Sequence, residues 1–247
     1  MTQDERDRRL SSISTIWSAL RQAHAGQPEV AAAAQRLLLE RYGGAVHRYL
    51  LAALGDPSAA DDLTQEFALC LVRGDFRQAD PQRGRFRAYV KTVLFHLVSA
   101  YRKRQRKQPE PRPADSPALA GLGAPAEDSD RAFNDSWRDQ LLGRAWEALA
   151  RARPPFHAVL RFRAAHPKMP SHEMAERLGR ELGKPVTADW VRQTLRRARD
   201  LFTELLIDEV AHSLDAPTPE QVEDELRGLG LLAYCREALG RRDRKRP

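Results

Sequence analysis

Apolar positions recur three and four residues apart along most of the chain, the spacing that keeps one face of an α-helix continuous. Leu37, Leu38, Tyr42, Val46, Tyr49 and Leu50 follow it in a segment that Pro28 and Glu29 can open and that runs to about Leu54. Asp56-Pro57 reads as an N-cap followed by proline at the first helical position, which starts a second helix through about Val72. Its stripe is Leu63, Phe67, Cys70 and Leu71. A loop from Gly74 to Gly84 follows, with Asp80-Pro81 as a turn signal. The third helix is predicted from Arg85 to about Lys107, with Phe86, Tyr89, Val90, Val93, Leu94, Leu97 and Val98 turned to a core. Its last two turns are almost wholly cationic.

The periodicity then breaks. Residues 108–135 hold Pro109, Pro111, Pro113, Pro117 and Pro125 among small and polar residues, a composition that denies helix and sheet ladders and predicts a linker. Helical spacing resumes near Asp135 or Ser136, with Trp137, Leu141, Leu142, Ala145, Trp146 and Leu149, and stops before Pro154-Pro155. A short helix is expected over about Phe156–Ala165. Another is expected to be capped by Ser171 and to bury Met174, Ala175 and Leu178; Gly183-Lys184-Pro185 ends it. Thr187 then caps a longer helix that buries Val191, Leu195 and Ala198 and exposes Arg192, Gln193, Arg196, Arg197 and Arg199. The tail predicts one more helix, capped by Thr218, with Pro219 first and Val222, Leu226, Leu229, Leu232 and Leu239 buried.

The expected fold is therefore all-α, two helical lobes joined by a proline-rich linker. The partition is an N-terminal extension (1–29), a helical domain (30–107), a flexible linker (108–135), a helix-turn-helix domain (136–213), and a C-terminal helical extension with a basic tail (214–247).

Composition narrows the function classes. The 247 residues suit one or two domains. Mean hydropathy is −0.60 and no run of 18 apolar residues occurs, so no membrane partner is expected. The opening MTQDERDRRL carries acids and no apolar run, unlike a secretory signal. Cys70 and Cys235 stand alone, without metal-ligand spacing, so neither a disulfide scaffold nor a zinc site is expected and a reducing cytoplasm fits. No cofactor and no metal are expected. The net charge of +7 permits a polyanionic partner without requiring one.

Three groups of residues carry candidate chemistry. The run Arg102, Lys103, Arg104, Arg106 and Lys107, behind Tyr101, suits a nucleic-acid backbone, or else complements the negative end of its own helix dipole. Two helices joined by a glycine-containing break, the second rich in Arg and Gln, make a helix-turn-helix layout in which Arg suits guanine and Gln suits adenine. Trp190, at the start of the second, either braces the preceding helix or approaches DNA. Asp61, Asp62 and Glu66 crowd one helix, with Asp62 and Glu66 four apart. No histidine or third carboxylate stands at matching spacing, and no phosphate loop or nucleophile elbow occurs, so no enzyme is expected. The acids serve the helix N-terminus or dock a basic partner, and Thr64 lies among them. His96, at the polar margin of the third helix, reads as a structural histidine.

In order and spacing, DDLTQEFALCLV, RGRFRAYVKTVLFHLVSAYRKRQRK, the proline-rich linker and EMAERLG…VTADWVRQTLRRAR together resemble a bacterial sigma factor of the extracytoplasmic-function group. The resemblance spans about residues 30–107 and 138–207. It implies a domain that reads the −10 element, a flexible linker, and a helix-turn-helix that reads the −35 element, with core RNA polymerase and promoter DNA as partners. It places Asp61, Asp62 and Glu66 on the clamp helices of the largest polymerase subunit. Phe76, Arg83, Arg85, Phe86, Arg87, Lys91 and His96 fall on the −10 strand, with Arg102 and Arg104 in the basic run behind them. Thr187, Arg192, Gln193, Arg196 and Arg197 fall on the −35 groove. His96 replaces a common Asn and Ala100 a common Asp, so the family's −10 base preference does not transfer.

The DLTQEF wording, the His96 position, the N-terminal TIWS segment and the EVAHSL…VEDELR tail resemble a subgroup common in planctomycetes and associated with Ser/Thr kinases. That likeness implies phosphorylation of Thr64 in the polymerase-docking helix, with a Ser/Thr protein kinase or an anti-sigma factor as further partners. A free-standing helix-turn-helix regulator that binds operator DNA is the alternative from the residues alone. An enzyme using the 61–66 carboxylates is a third reading.

Overall fold

The computed structural model describes residues 28–73, 86–107, 126–183, 185–214 and 217–244. Among the described residues there are nine helices and no strand: α1 (Pro28–Leu54), α2 (Pro57–Arg73), α3 (Phe86–Lys107), α4 (Ala126–Ala152), α5 (Pro154–Ala165), α6 (Ser171–Leu182), α7 (Ala188–His212), α8 (Pro219–Gly228) and α9 (Leu232–Asp243). The all-α expectation holds. The chain divides into two compact units, the first up to residue 140 together with 211–221, the second 141–210 with 222 onward.

In the first unit, α1 and α2 meet at a tight corner. Gly55 sits at φ 66°, where a side chain would be strained, and its N–H donates to Leu51 O at 2.9 Å. The Asp56 carboxylate then accepts from the Ser58 and Ala59 N–H groups at 2.9 and 3.4 Å, the cap that Asp-Pro implies. Ala59, Ala60, Leu63, Phe67 and Leu71 of α2 are buried with Leu38, Tyr42, Val46, Tyr49 and Leu50 of α1 and Phe86, Val90, Leu94, Leu97 and Val98 of α3. Leu37, expected in the stripe, is exposed, because the buried row of α1 runs through Ala34 and Leu38 instead.

The largest departure from the sequence pattern is α4. Its helix starts at Ala126, where composition predicts linker through 135, and its first half belongs to the first unit. The physical reason is the row Phe133, Trp137, Leu141: it extends the helical spacing backwards, and all three are buried. Trp137 stacks on Tyr42 with ring centroids 4.7 Å apart, and Phe133 meets Tyr49 edge-on at 5.5 Å. Arg48 donates to Ser136 O at 3.1 Å and to Gln140 Oε1 at 2.9 Å, while Gln140 Nε2 donates to Arg41 O at 2.9 Å.

In the second unit, Leu141, Ala145 and Leu149 of α4 share a core with Val159, Leu160, Met174, Leu178, Val191, Leu195, Phe202 and Leu206. Trp146 packs on Phe202 at 4.6 Å, and the Arg161 guanidinium lies over its indole at 5.5 Å. Arg163 fixes the turn into α6 by donating to Pro167 O at 3.2 Å and Met169 O at 2.5 Å. Ser171 is the first helical residue rather than the cap: extended Pro170 precedes it, and the Pro170 carbonyl accepts the Met174 N–H at 3.1 Å. Gly183, at φ 64°, ends α6 in the left-handed conformation.

The tail holds two helices where periodicity predicts one. Thr218 and Gln221 form a reciprocal capping box, side chain to backbone N–H in both directions at 3.3 and 3.0 Å. Gly230 then takes φ 70° and breaks the helix. The break shifts the buried register, so Leu231, Cys235 and Ala238 are interior while Leu232 and Leu239 are only half-buried. Arg242 anchors α9 to α7 through Glu204 Oε2 at 2.6 Å, Glu204 O at 2.9 Å and Asp208 at 2.8 Å.

Candidate functional site

Two surfaces of the first unit gather the residues singled out from the sequence. On α2, Asp61 and Asp62 are exposed on the side opposite the buried Leu63 and Phe67. Asp61 Oδ1 lies 2.9 Å from His47 Nε2 of α1. Glu66 is half-buried because it accepts from Arg104 of α3 at 3.2 Å. Thr64 is half-buried, and its hydroxyl donates to Ala60 O at 2.7 Å, the usual back-bond of a helical threonine. Further along, Leu69 and Val72 leave apolar surface open at 49% and 53% exposure, a feature no polar motif signals.

On α3 four of the cations are engaged within the unit. Arg87 donates to Asn134 Oδ1, and Lys91 pairs with Asp130 at 2.6 Å, both partners lying on α4. Arg102 donates to Ala53 O at 2.9 Å, supplying the last turn of α1 with a cation that α1 lacks in sequence. Arg104 is held by Glu66. Lys103 and Arg106 face solvent. His96 is exposed, not packed in the interior, and its ring meets exposed Phe95 edge-on at 6.0 Å. Phe95 is the aromatic that periodicity alone overlooks: 58% exposed, it stands one helical turn from Lys91 and suits base stacking beside a cation. Tyr101, by contrast, is half-buried and its hydroxyl accepts from Gln105 at 3.0 Å.

Phe86 takes the core position that its spacing predicts, which is at odds with the role on the −10 strand that the resemblance implies. Its ring is 3% exposed and packs at 5.4 Å from Tyr42 and 6.2 Å from Trp137, so it builds the core and cannot stack on a base without unfolding that cluster. Phe76, Arg83 and Arg85 lie outside the described residues.

In the second unit, α7 exposes Arg192, Gln193, Arg196 and Arg197 along one side, while Val191, Thr194, Leu195 and Ala198 are buried on the other. Thr187 caps the helix by accepting the Trp190 N–H at 3.1 Å. Arg192 pairs with Asp189 within the first turn, and Trp190 is half-buried. Among the described residues no group of three or more His, Cys, Asp or Glu is placed to hold a metal ion, and no helix is long and apolar enough to cross a membrane.

Comparison with known proteins bears on the first unit. No curated protein and no solved structure matches the chain significantly. Residues 38–108, which run from the middle of α1 to just past the end of α3, match the family described as sigma-70 region 2. Over this stretch the chain is similar to sigma-70 region 2, and that likeness supports a sigma factor role in transcription initiation.

Proposed function

We propose that this protein is an alternative sigma factor of the extracytoplasmic-function group, which binds core RNA polymerase and directs it to a limited set of promoters. The observation that carries the reading is the region 2 match over a unit that opposes an acidic α2 face, Asp61 and Asp62, to a cationic α3. The α2 face docks on basic residues of the polymerase clamp helices, with Leu69 and Val72 adding apolar contact. The α3 face, with Phe95, Lys91 and His96, takes the −10 strand, and Arg192, Gln193, Arg196 and Arg197 of α7 enter the −35 major groove. Chemistry stays with the polymerase; this chain supplies position and sequence choice.

Phosphorylation of Thr64 is the regulatory part of the proposal. A phosphate would add about −1.5 to −2 charges to α2, one turn from Asp61, and form charge-assisted bonds to the basic partner. The solvent-facing Asp61 and Asp62 in the preceding turn support it, as does the hydroxyl's position at the margin of that face.

The test is co-purification of the full chain with core polymerase, for wild type and for Asp61→Lys/Asp62→Lys, before and after treatment with Ser/Thr kinase. Retention of wild type and loss of the charge-reversed protein support docking through α2. Equal behaviour of wild type and Thr64→Ala after kinase treatment removes the phosphorylation switch. No retention under either condition, with tight binding to duplex DNA alone, turns the reading to a free-standing regulator.

A further inference from the structure

Two cations in the first half of α3 are covered by a piece of chain that lies outside the family match. Arg87 and Lys91 are four residues apart on α3, and their partners Asn134 and Asp130 are four apart on α4. The order is reversed, 87 with 134 and 91 with 130, so two antiparallel helices present matched rows, cations on one and oxygens on the other. The row on α4 is held in place by its own packing, since Phe133 and Trp137, between and beyond the two acceptors, are buried in the aromatic cluster of the first unit. Both members of the ion pair keep partial solvent access, 39% for Lys91 and 50% for Asp130. Such a pair exchanges readily with another anion.

We infer that Asp130 and Asn134 are specificity-setting residues that occupy the phosphate sites of α3, so that a nucleic-acid strand reaches Lys91 and Arg87 only by displacing them. The inference rests on the reading of α3 as the strand-binding face. Lys91 stands one turn from exposed Phe95, so the strand that stacks there passes its phosphates over the occupied cation. For a strand that offers only charge, the displacement is an uncompensated cost. One that also stacks on Phe95 offsets it, and weak non-specific binding is suppressed relative to a strand held in the stacked pose.

The experiment is fluorescence anisotropy of the full chain with a fluorescein-labelled 20-nucleotide single strand of mixed sequence, across a salt series. Asp130→Asn should tighten binding about two- to fivefold at low salt, the range of a partly exposed ion pair. It should also steepen the log–log salt dependence by about 0.7, the increment for one more phosphate neutralised on a single strand. Glu29→Gln removes the same charge from the exposed first turn of α1 and should leave binding unchanged. In a Lys91→Gln background, Asp130→Asn should have no effect, because the cation it would release is gone. If Asp130→Asn matches Glu29→Gln while Lys91→Gln weakens binding, the occupied-site inference is wrong and α3 still holds the strand. If Lys91→Gln binds as wild type does, α3 does not hold the strand and both readings fall. Thermal melts by circular dichroism identify any variant that has lost its fold.

Discussion

Trp137 lies against Tyr42 with ring planes 16° from parallel and centroids 4.7 Å apart, which makes a residue beyond the proline-rich segment part of the core of the first unit. Phe133 and Phe86 close the same cluster, with centroids 5.7 and 6.2 Å from the indole. Trp137→Ala is expected to cost about 3–5 kcal/mol, the range for deleting a fully buried aromatic. Trp137→Phe should cost clearly less, since the stacking survives and the buried indole N–H, which has no hydrogen-bond partner, is removed with the ring. Urea unfolding followed by far-UV circular dichroism measures both, and equal costs would show that the stacked ring contributes little.

Adjacent glycines of α1 should respond in opposite ways to the same change. A Cβ at Gly43 meets nothing within 4 Å, so Gly43→Ala should stabilise α1 by about 0.5–1 kcal/mol through helix propensity. A Cβ at Gly44 would come 2.8 Å from Gln140 Oε1, an atom already engaged by Arg48. Gly44→Ala must push Gln140 aside and break its bonds to α1, so the propensity gain is offset. The two melting temperatures, compared with wild type, test the contrast.

From Val222 onward the C-terminal extension is a structural part of the second unit. Arg242, with its side chain 31% exposed, satisfies two carboxylates and a carbonyl of α7. Arg242→Met should destabilise by about 1–3 kcal/mol, because Glu204 and Asp208 lose their charged donor. Truncation before α8 should go further, uncovering Phe202 and the apolar side of α7, and lower the solubility of the chain. A truncated protein with unchanged stability and DNA binding would show that α8 and α9 are dispensable to the unit.

Burial pushes the Cys235 thiol from its ordinary 9.0 up to about 11, ahead of the opposing pull of nearby Arg242. The unfolded chain therefore releases this proton at lower pH than the folded one. Its contribution to stability is intact below about pH 9 and is lost as pH rises from there through about 11, where the folded state alone still holds the proton. Wild type should lose more stability than Cys235→Ala across that window, measured by urea titration at fixed pH. At pH 8 a thiol reagent should label Cys70, which is partly exposed, well before Cys235.

Most of the helices were legible from local signals, and the surfaces were legible in part. Asp56-Pro57, Thr187 and Thr218-Gln221 mark helix starts through bonds made within three residues, so sequence alone locates them. The exposed Arg and Gln of α7 follow from its buried row for the same reason. Composition misplaced the start of α4, because proline density describes 108–125 and says nothing of where Phe133 and Trp137 find a core. Periodicity likewise ran through Gly230, whose positive φ resets the face that α9 buries.

The sequence by itself determined the all-α class, the caps at Asp56, Thr187 and Thr218, the basic α3 and the acids of α2, since each depends on residues a turn or less apart. Only the tertiary structure decided which of those polar groups are already taken. Lys91 with Asp130, Arg104 with Glu66 and Arg102 with Ala53 O join residues 38 to 49 positions apart. Long charged side chains reach whatever partner the packing brings near. That choice is set by how buried aromatic and aliphatic rows fit together, and helical spacing within one segment does not encode it.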